Sequence, residues 1–257
     1  MANSTIVVIV DLAATSKDAR DQIGPLTTTY VQVLDHLHKI AEYARINEPG
    51  LLKYAICLPD NAEDDTTIYV IEEYLDKPAY DTHMSSPPLA TLFALQDSEK
   101  LLVAAPKIWT VSWTPALLSR PDRLPSRDQK TTAYDLRARI ENPYVLFATI
   151  TDPDTEDIDS LEPYGAAIVK YATENEPDTI FYGDARSVEM GSGDSTAGSS
   201  GATKGFICAV EVYASKDACL KHLQDESVRN LSIEAHKLGS KFEIVQLNMM
   251  EGWLISE

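Results

Sequence analysis

Glu72-Glu73-Tyr74-Leu75-Asp76-Lys77-Pro78-Ala79-Tyr80-Asp81-Thr82-His83 is the stretch that decides the fold. It reads as the end of a strand turning into a helix, and the chain states it twice. Glu211-Val212-Tyr213-Ala214-Ser215-Lys216-Asp217-Ala218-Cys219-Leu220-Lys221-His222 keeps the same frame. Glu72 matches Glu211, Tyr74 matches Tyr213, Lys77 matches Lys216, Ala79 matches Ala218 and His83 matches His222, all at one offset of 139 positions. Upstream, Tyr43-Ala44-Arg45-Ile46-Asn47-Glu48-Pro49 is echoed by Tyr171-Ala172-Thr173-Glu174-Asn175-Glu176-Pro177 at an offset of 128. The 11 extra positions match the length of the glycine- and serine-rich segment 191–201. Self-similarity of this kind marks a duplicated unit. We expect a first domain over residues 1–114, a linker over 115–141 holding Pro115, Pro121 and Pro125, and a second, more diverged domain over 142–257.

Working outward, each half shows the same alternation of periods. Residues 5–12 are rich in β-branched side chains and read as a buried strand. From residue 26 the apolar positions Tyr30, Val33, Leu34, Leu37, Ile40, Ala41 and Ala44 recur at three and four, one face of a helix. His36 and His38 fall off that stripe and are expected in solvent. Asn47-Glu48-Pro49-Gly50 stops the helix. Residues 51–58 and 66–75 read as a hairpin, with Ile68, Val70 and Glu72 on one face and Tyr69, Ile71 and Glu73 on the other. Asp76 caps the next helix, which tolerates Pro78 in its first turn. Ser85-Ser86-Pro87-Pro88 interrupts it, and 108–113 is the fourth strand. The second half repeats this: a strand over 144–151, a stripe of Leu161, Tyr164, Ile168, Tyr171 and Ala172, strands over 179–188 and 205–213, helices within 216–239 and a last strand over 242–249. The order β-α-β-β-α-β in each half is a ferredoxin-like α+β arrangement.

Composition narrows the function. Forty acids against 22 Lys and Arg give a net charge of −18. That argues against nucleic acid or an anionic membrane as partner, because both need clustered cations. The three cysteines, Cys57, Cys208 and Cys219, form no metal or disulfide pattern. Cys57 and Cys208 sit within apolar strand patterns and are expected in the core. The N-terminus reads as a strand rather than a signal peptide. No segment approaches the ~20 apolar residues of a membrane span. The expected location is cytoplasmic. The acidic run from Asp152 to Glu162 fails as a calcium loop, since its sixth position is Asp157 where glycine is needed and its twelfth is Pro163 where a bidentate Glu is needed. No nucleotide- or flavin-binding glycine motif and no nucleophile elbow occur.

What remains is the duplicated constellation. In each half, strand three ends in Glu-x-Tyr and the next helix offers a histidine nine residues past that Tyr. Glu72, Tyr74, Tyr80 and His83, with second-half equivalents Glu211, Tyr213 and His222, are the candidate site residues. Histidine is the usual proton carrier at neutral pH, and a phenol and carboxylate beside it can orient a substrate. The competing reading is structural: a packed tyrosine with its hydroxyl satisfied and a histidine tying helix to sheet.

Three runs carry a resemblance: Asn47-Glu48-Pro49-Gly50-Leu51-Leu52-Lys53-Tyr54, Tyr69-Val70-Ile71-Glu72-Glu73-Tyr74 and Ala79-Tyr80-Asp81-Thr82-His83-Met84-Ser85-Ser86. Together they resemble the antibiotic biosynthesis monooxygenase family over about 26–113, and the second half resembles it more weakly. The resemblance implies a dimeric α+β barrel, here closed within one chain as a pseudo-dimer; a homodimer of such chains is compatible with it. It implies a small apolar or aromatic substrate of polyketide type and secondary metabolism. The activity implied is monooxygenation without metal, flavin or other cofactor, with His83 as general base, Tyr74 and Tyr80 orienting the substrate and Glu72 steadying a neighbour. Tyr80 matches a tyrosine of those oxygenases, whereas Tyr74 and Val70 stand where they carry a tryptophan and an asparagine. The haem-degrading branch carries a tryptophan where His83 and His222 stand, so haem is not expected. The same groups also suit cyclisation, dehydration or decarboxylation without oxygen, or non-catalytic binding of a small molecule. The fuller motif places the expected site in the first half.

Overall fold

The structure, a computed structural model, describes residues 5–15, 33–120, 140, 143–151, 158–187 and 206–254. The first half runs β1 (Ile6–Ala13), α1 (Val33–Asn47), β2 (Leu51–Pro59), β3 (Thr67–Tyr74), α2 (Lys77–Met84), α3 (Pro87–Glu99) and β4 (Lys107–Ser119). The second runs β5 (Tyr144–Thr151), a 3-10 turn (Ile158–Leu161), α4 (Glu162–Asn175), β6 (Thr179–Ser187), β7 (Phe206–Tyr213), α5 (Lys216–Leu223), α6 (Glu226–Lys237) and β8 (Lys241–Trp253). The glycine-rich segment 191–201, the acids Asp152 to Asp157, Tyr30 and most of the expected linker lie outside the described residues.

Among the described residues, eight strands close into one barrel in the order β1-β3-β2-β8-β5-β7-β6-β4, with antiparallel pairings. Each half contributes a four-stranded sheet, and closure leaves no unpaired edge. The two seams are made by the long last strands. β4 pairs β1 over 107–111 and then crosses to β6 over 111–119. β8 pairs β5 over 241–248 and crosses to β2 over 247–253. The fourth strand therefore runs well past residue 113. Pro115 starts no linker, because this stretch belongs to a seam strand whose register with β6 shifts between Trp113 and Leu117. A register shift is where a sheet can absorb a proline.

Gly252 makes the other seam possible. Its φ is +119°, and a Cβ there would stand 2.0 Å from the Tyr54 carbonyl oxygen. Only glycine fits both the backbone and the approach. Side chains reinforce this seam. His38, expected in solvent, keeps 40% of its side chain exposed while its Nδ1 pairs with the Glu251 carboxylate of β8. Asp60, beyond β2, pairs with Lys216 and accepts from Asn248 Nδ2 at 3.0 Å.

Alternation along the strands sorts the side chains as expected. Tyr69 and Ile71 point into the barrel, where Trp109 stacks on Phe206 at 6.0 Å and packs on Phe147. Cys57 and Cys208 lie in the same core. The interior also holds an ion pair, Lys53 Nζ to Glu73 at 2.6 Å, with the ammonium 4.3 Å from the Phe181 ring centroid. Ile68, Val70 and Tyr74 face outward under α1, α2 and α3. The helices thus cover the outside of the barrel, and each half has its own sheet–helix layer. Among the described residues no helix is long and apolar enough to cross a membrane.

Candidate functional site

The two histidines sit in these sheet–helix layers. Asp76 Oδ1 accepts from Ala79 N at 2.9 Å and starts α2, which turns His83 inward. The proline that ends α1 leaves Glu48 at the turn into β2. Gly50 lets that turn approach α2, since a Cβ there would meet the Ala79 Cβ at 2.5 Å. His83 Nδ1 consequently lies 2.7 Å from Glu48 Oε2, and its Nε2 lies 3.5 Å from Glu72 Oε1. Tyr74 donates from its hydroxyl to Glu72 Oε2 at 2.6 Å. The histidine is 2% exposed. Tyr80 stands edge-on to Tyr74 with centroids 5.4 Å apart.

The second half repeats the chain of contacts. His222 Nδ1 lies 2.9 Å from Glu176 Oε2, its Nε2 lies 3.5 Å from Glu211 Oε2, and Tyr213 donates to Glu211. Arg120, just after β4, holds the Glu176 turn by donating to the carbonyls of Ala172 at 2.9 Å and Thr179 at 3.1 Å. A guanidinium at the end of a helix also complements its dipole. Glu48 and Glu176 are site residues that the sequence reading missed. Their signal was present, because both stand in the upstream repeat at the offset of 128.

Two carboxylates decide the state of each imidazole. Burial pulls His83 toward its neutral form, but Glu72 and Glu48 more than reverse this and raise its pKa to about 10. His222 is raised for the same reasons, against burial, by Glu211 and Glu176. An imidazolium with a carboxylate at each nitrogen has no lone pair to accept a proton. This geometry does not suit His83 to the expected role of general base.

The halves differ in what surrounds the histidine. A cavity of about 320 Å³ opens between the second sheet and its helices. Its walls are largely aliphatic, from Leu146, Ala148, Ile168, Ala209, Val228 and Leu231. Small-molecule pockets typically start near this volume, about 300 Å³. The polar lining includes Asp184, Arg186, Glu211 and His222. Asp184, on β6, went unnoticed in the sequence because it lies in neither repeated block. Gly165 of α4 makes room for its carboxylate: a Cβ there would stand 2.5 Å from Asp184 Oδ2. Burial first, then the Glu211 charge, raise the Asp184 pKa to about 7, with Arg186 pulling the other way. Arg186 is held by Asp159 and by Glu162 at 3.5 Å. Tyr80, by contrast, has no phenol as counterpart, since Cys219 takes its place as a buried thiol with its pKa pushed up to about 12 by burial.

Known proteins carry the same architecture. Residues 31–94 match the family model for antibiotic biosynthesis monooxygenase. No curated protein sequence matches the chain. Among solved structures, a proposed monooxygenase from Fusobacterium nucleatum subsp. nucleatum superposes with a TM-score of 0.68 at 15% identity, over 98% of this chain and 95% of that one. A proposed monooxygenase from Lactobacillus acidophilus gives 0.62 at 13% identity, over 99% of both chains. An anthrone oxidase-like protein gives 0.58 at 9% identity, over 97% of this chain and 93% of that one. At these identities the likeness is one of fold. It covers both halves together, so the paired arrangement in a single chain is shared.

Proposed function

We propose, from a monooxygenase-type domain doubled within one chain, that this protein oxidises a small, apolar, aromatic compound with molecular oxygen in the second-half cavity, with Asp184 as the base. The observation that carries this is a carboxyl group of near-neutral pKa lining an otherwise apolar cavity of about 320 Å³. A base poised near the working pH is the most effective one. Shifted carboxyls in clefts are candidate functional groups for that reason.

The substrate that suits such a site has an acidic CH2 between aromatic or carbonyl groups. The Asp184 carboxylate takes one proton, leaving a carbanion delocalised into the ring system. Arg186 and the imidazolium of His222, both in the cavity lining, favour that negative charge. The carbanion gives one electron to O2, and the two radicals join in a C–O bond. The peroxide takes the proton back from Asp184. Asp184 then removes the second C–H proton as the O–O bond breaks, and hydroxide leaves as water. The balance is CH2 plus O2 to C=O plus H2O: carbon is oxidised by four electrons and oxygen is reduced by four.

His83 and His222 take a positioning role in this scheme. The Glu-His-Glu-Tyr chain is equally complete in the first half, away from the Asp184 cavity. That favours a common task of tying the helix to the sheet.

Anthrone, with a CH2 flanked by two rings, is a suitable first substrate. We expect oxygen uptake matched one to one by ketone formation, and its loss in Asp184→Asn with the fold retained. Product formed equally well without oxygen would replace this scheme by proton-transfer chemistry at the same carboxylate. Full oxygen uptake in Asp184→Asn would remove Asp184 from the mechanism.

A further inference from the structure

The halves are copies, yet they differ at several positions between sheet and helix. Ile6 opposes Tyr74 in one half and Tyr144 opposes Tyr213 in the other. Val10 therefore corresponds to Ala148, and Val70 to Ala209. The helix offset pairs Leu37 with Gly165 and, through the following hairpin, Ile56 with Asp184. The later offset pairs Leu89 with Val228. At four of these positions the second half carries the smaller side chain, and at the fifth it carries a carboxyl. The first-half residues all pack in or against one continuous apolar cluster. Their second-half counterparts all line the cavity.

We infer that the chain has one ligand site rather than two, that it takes one uncharged ring compound per chain, and that Gly165, Ala148 and Ala209 are the residues that admit it. Each missing methyl group opens volume that a well-packed interior would otherwise fill. In the first half the larger counterparts pack in or against one apolar cluster. That half supplies the other side of the barrel and the seam strands that hold the second half closed. The ligand arrives uncharged because the cavity walls are largely aliphatic, and a charged group would lose its water there. This rests on the proposed function only for the place of the site. Binding requires no oxygen and no turnover.

Calorimetric titration with 2-naphthol, an uncharged two-ring compound at neutral pH, tests it under nitrogen. One molecule should bind per chain. Ala209→Val installs the first-half residue on a strand that accepts valine, and it should weaken binding by about 10-fold or more, as extra methyl groups in a filled pocket do. Val70→Ala, the mirror change in the first half, should leave affinity and stoichiometry unchanged. Two molecules per chain, equal loss in both variants, unchanged binding in Ala209→Val, or no binding by the wild-type protein would each overturn the inference. Single-site binding lost in Ala209→Val, together with an absence of oxygen uptake, would uphold it while removing the oxygenase scheme.

Discussion

Raising the pH from about 6 to about 9.5 strips the proton from His83 in the unfolded chain long before it does so in the folded one. The unfolded pKa is 6.5 and the folded value about 10. Between them the native state binds a proton that the unfolded state has lost, so stability falls as pH rises. The contribution is complete below 6.5 and gone above about 10. At 1.36 kcal/mol per unit, the whole shift corresponds to on the order of 5 kcal/mol, of which about 4 kcal/mol disappears over that pH range. The ring is 2% exposed, so solvent screening does little to reduce it. The groups facing it are Glu48, Glu72, Tyr54 and Tyr74. Both phenols titrate well above their usual 10, through burial first and the neighbouring carboxylates second, and stay neutral throughout. Urea unfolding of the wild-type protein and of His83→Gln, across this range, isolates the term: the variant should lose the steep decline attributable to this ring. Parallel slopes in the two proteins, or a His83 ring signal that titrates near 6.5 by NMR in the intact protein, would refute the doubly paired imidazolium.

Other outcomes are equally definite. The rate of oxygen uptake should rise with pH through about 7, because Asp184 must be ionised to take a proton; a flat profile there points to another base. Gly252→Ala should destabilise the β2–β8 seam by more than about 1 kcal/mol, since it combines a positive φ with a backbone clash, and thermal unfolding measures it. Lys53→Met should cost about 3–5 kcal/mol by leaving Glu73 buried alone, and adding Glu73→Leu should recover most of it. Tyr213→Phe should cost about 1–3 kcal/mol by removing a donor from the buried Glu211, read by denaturant midpoint.

The sequence by itself determined the duplication, the order of elements and the repeated Glu-x-Tyr and histidine in each half. These are local properties: period two against three and four, caps such as Asp76, stops such as Pro49, and the same letters at a constant offset. It also held Glu48 and Glu176 in plain view, although nothing local says that a turn before β2 lies beneath a histidine thirty-five positions later. Tertiary structure decided the rest. Whether His83 is a base or a cation depends on two carboxylates converging on it from different elements, and proximity of that kind is absent from a linear pattern. The cavity belongs to the second half because Gly165, Ala148 and Ala209 come from three separate elements and remove their methyl groups from one place. No single one of those residues is unusual where it stands. Empty space is a property of packing in three dimensions, and only the folded chain can show where the missing volumes coincide.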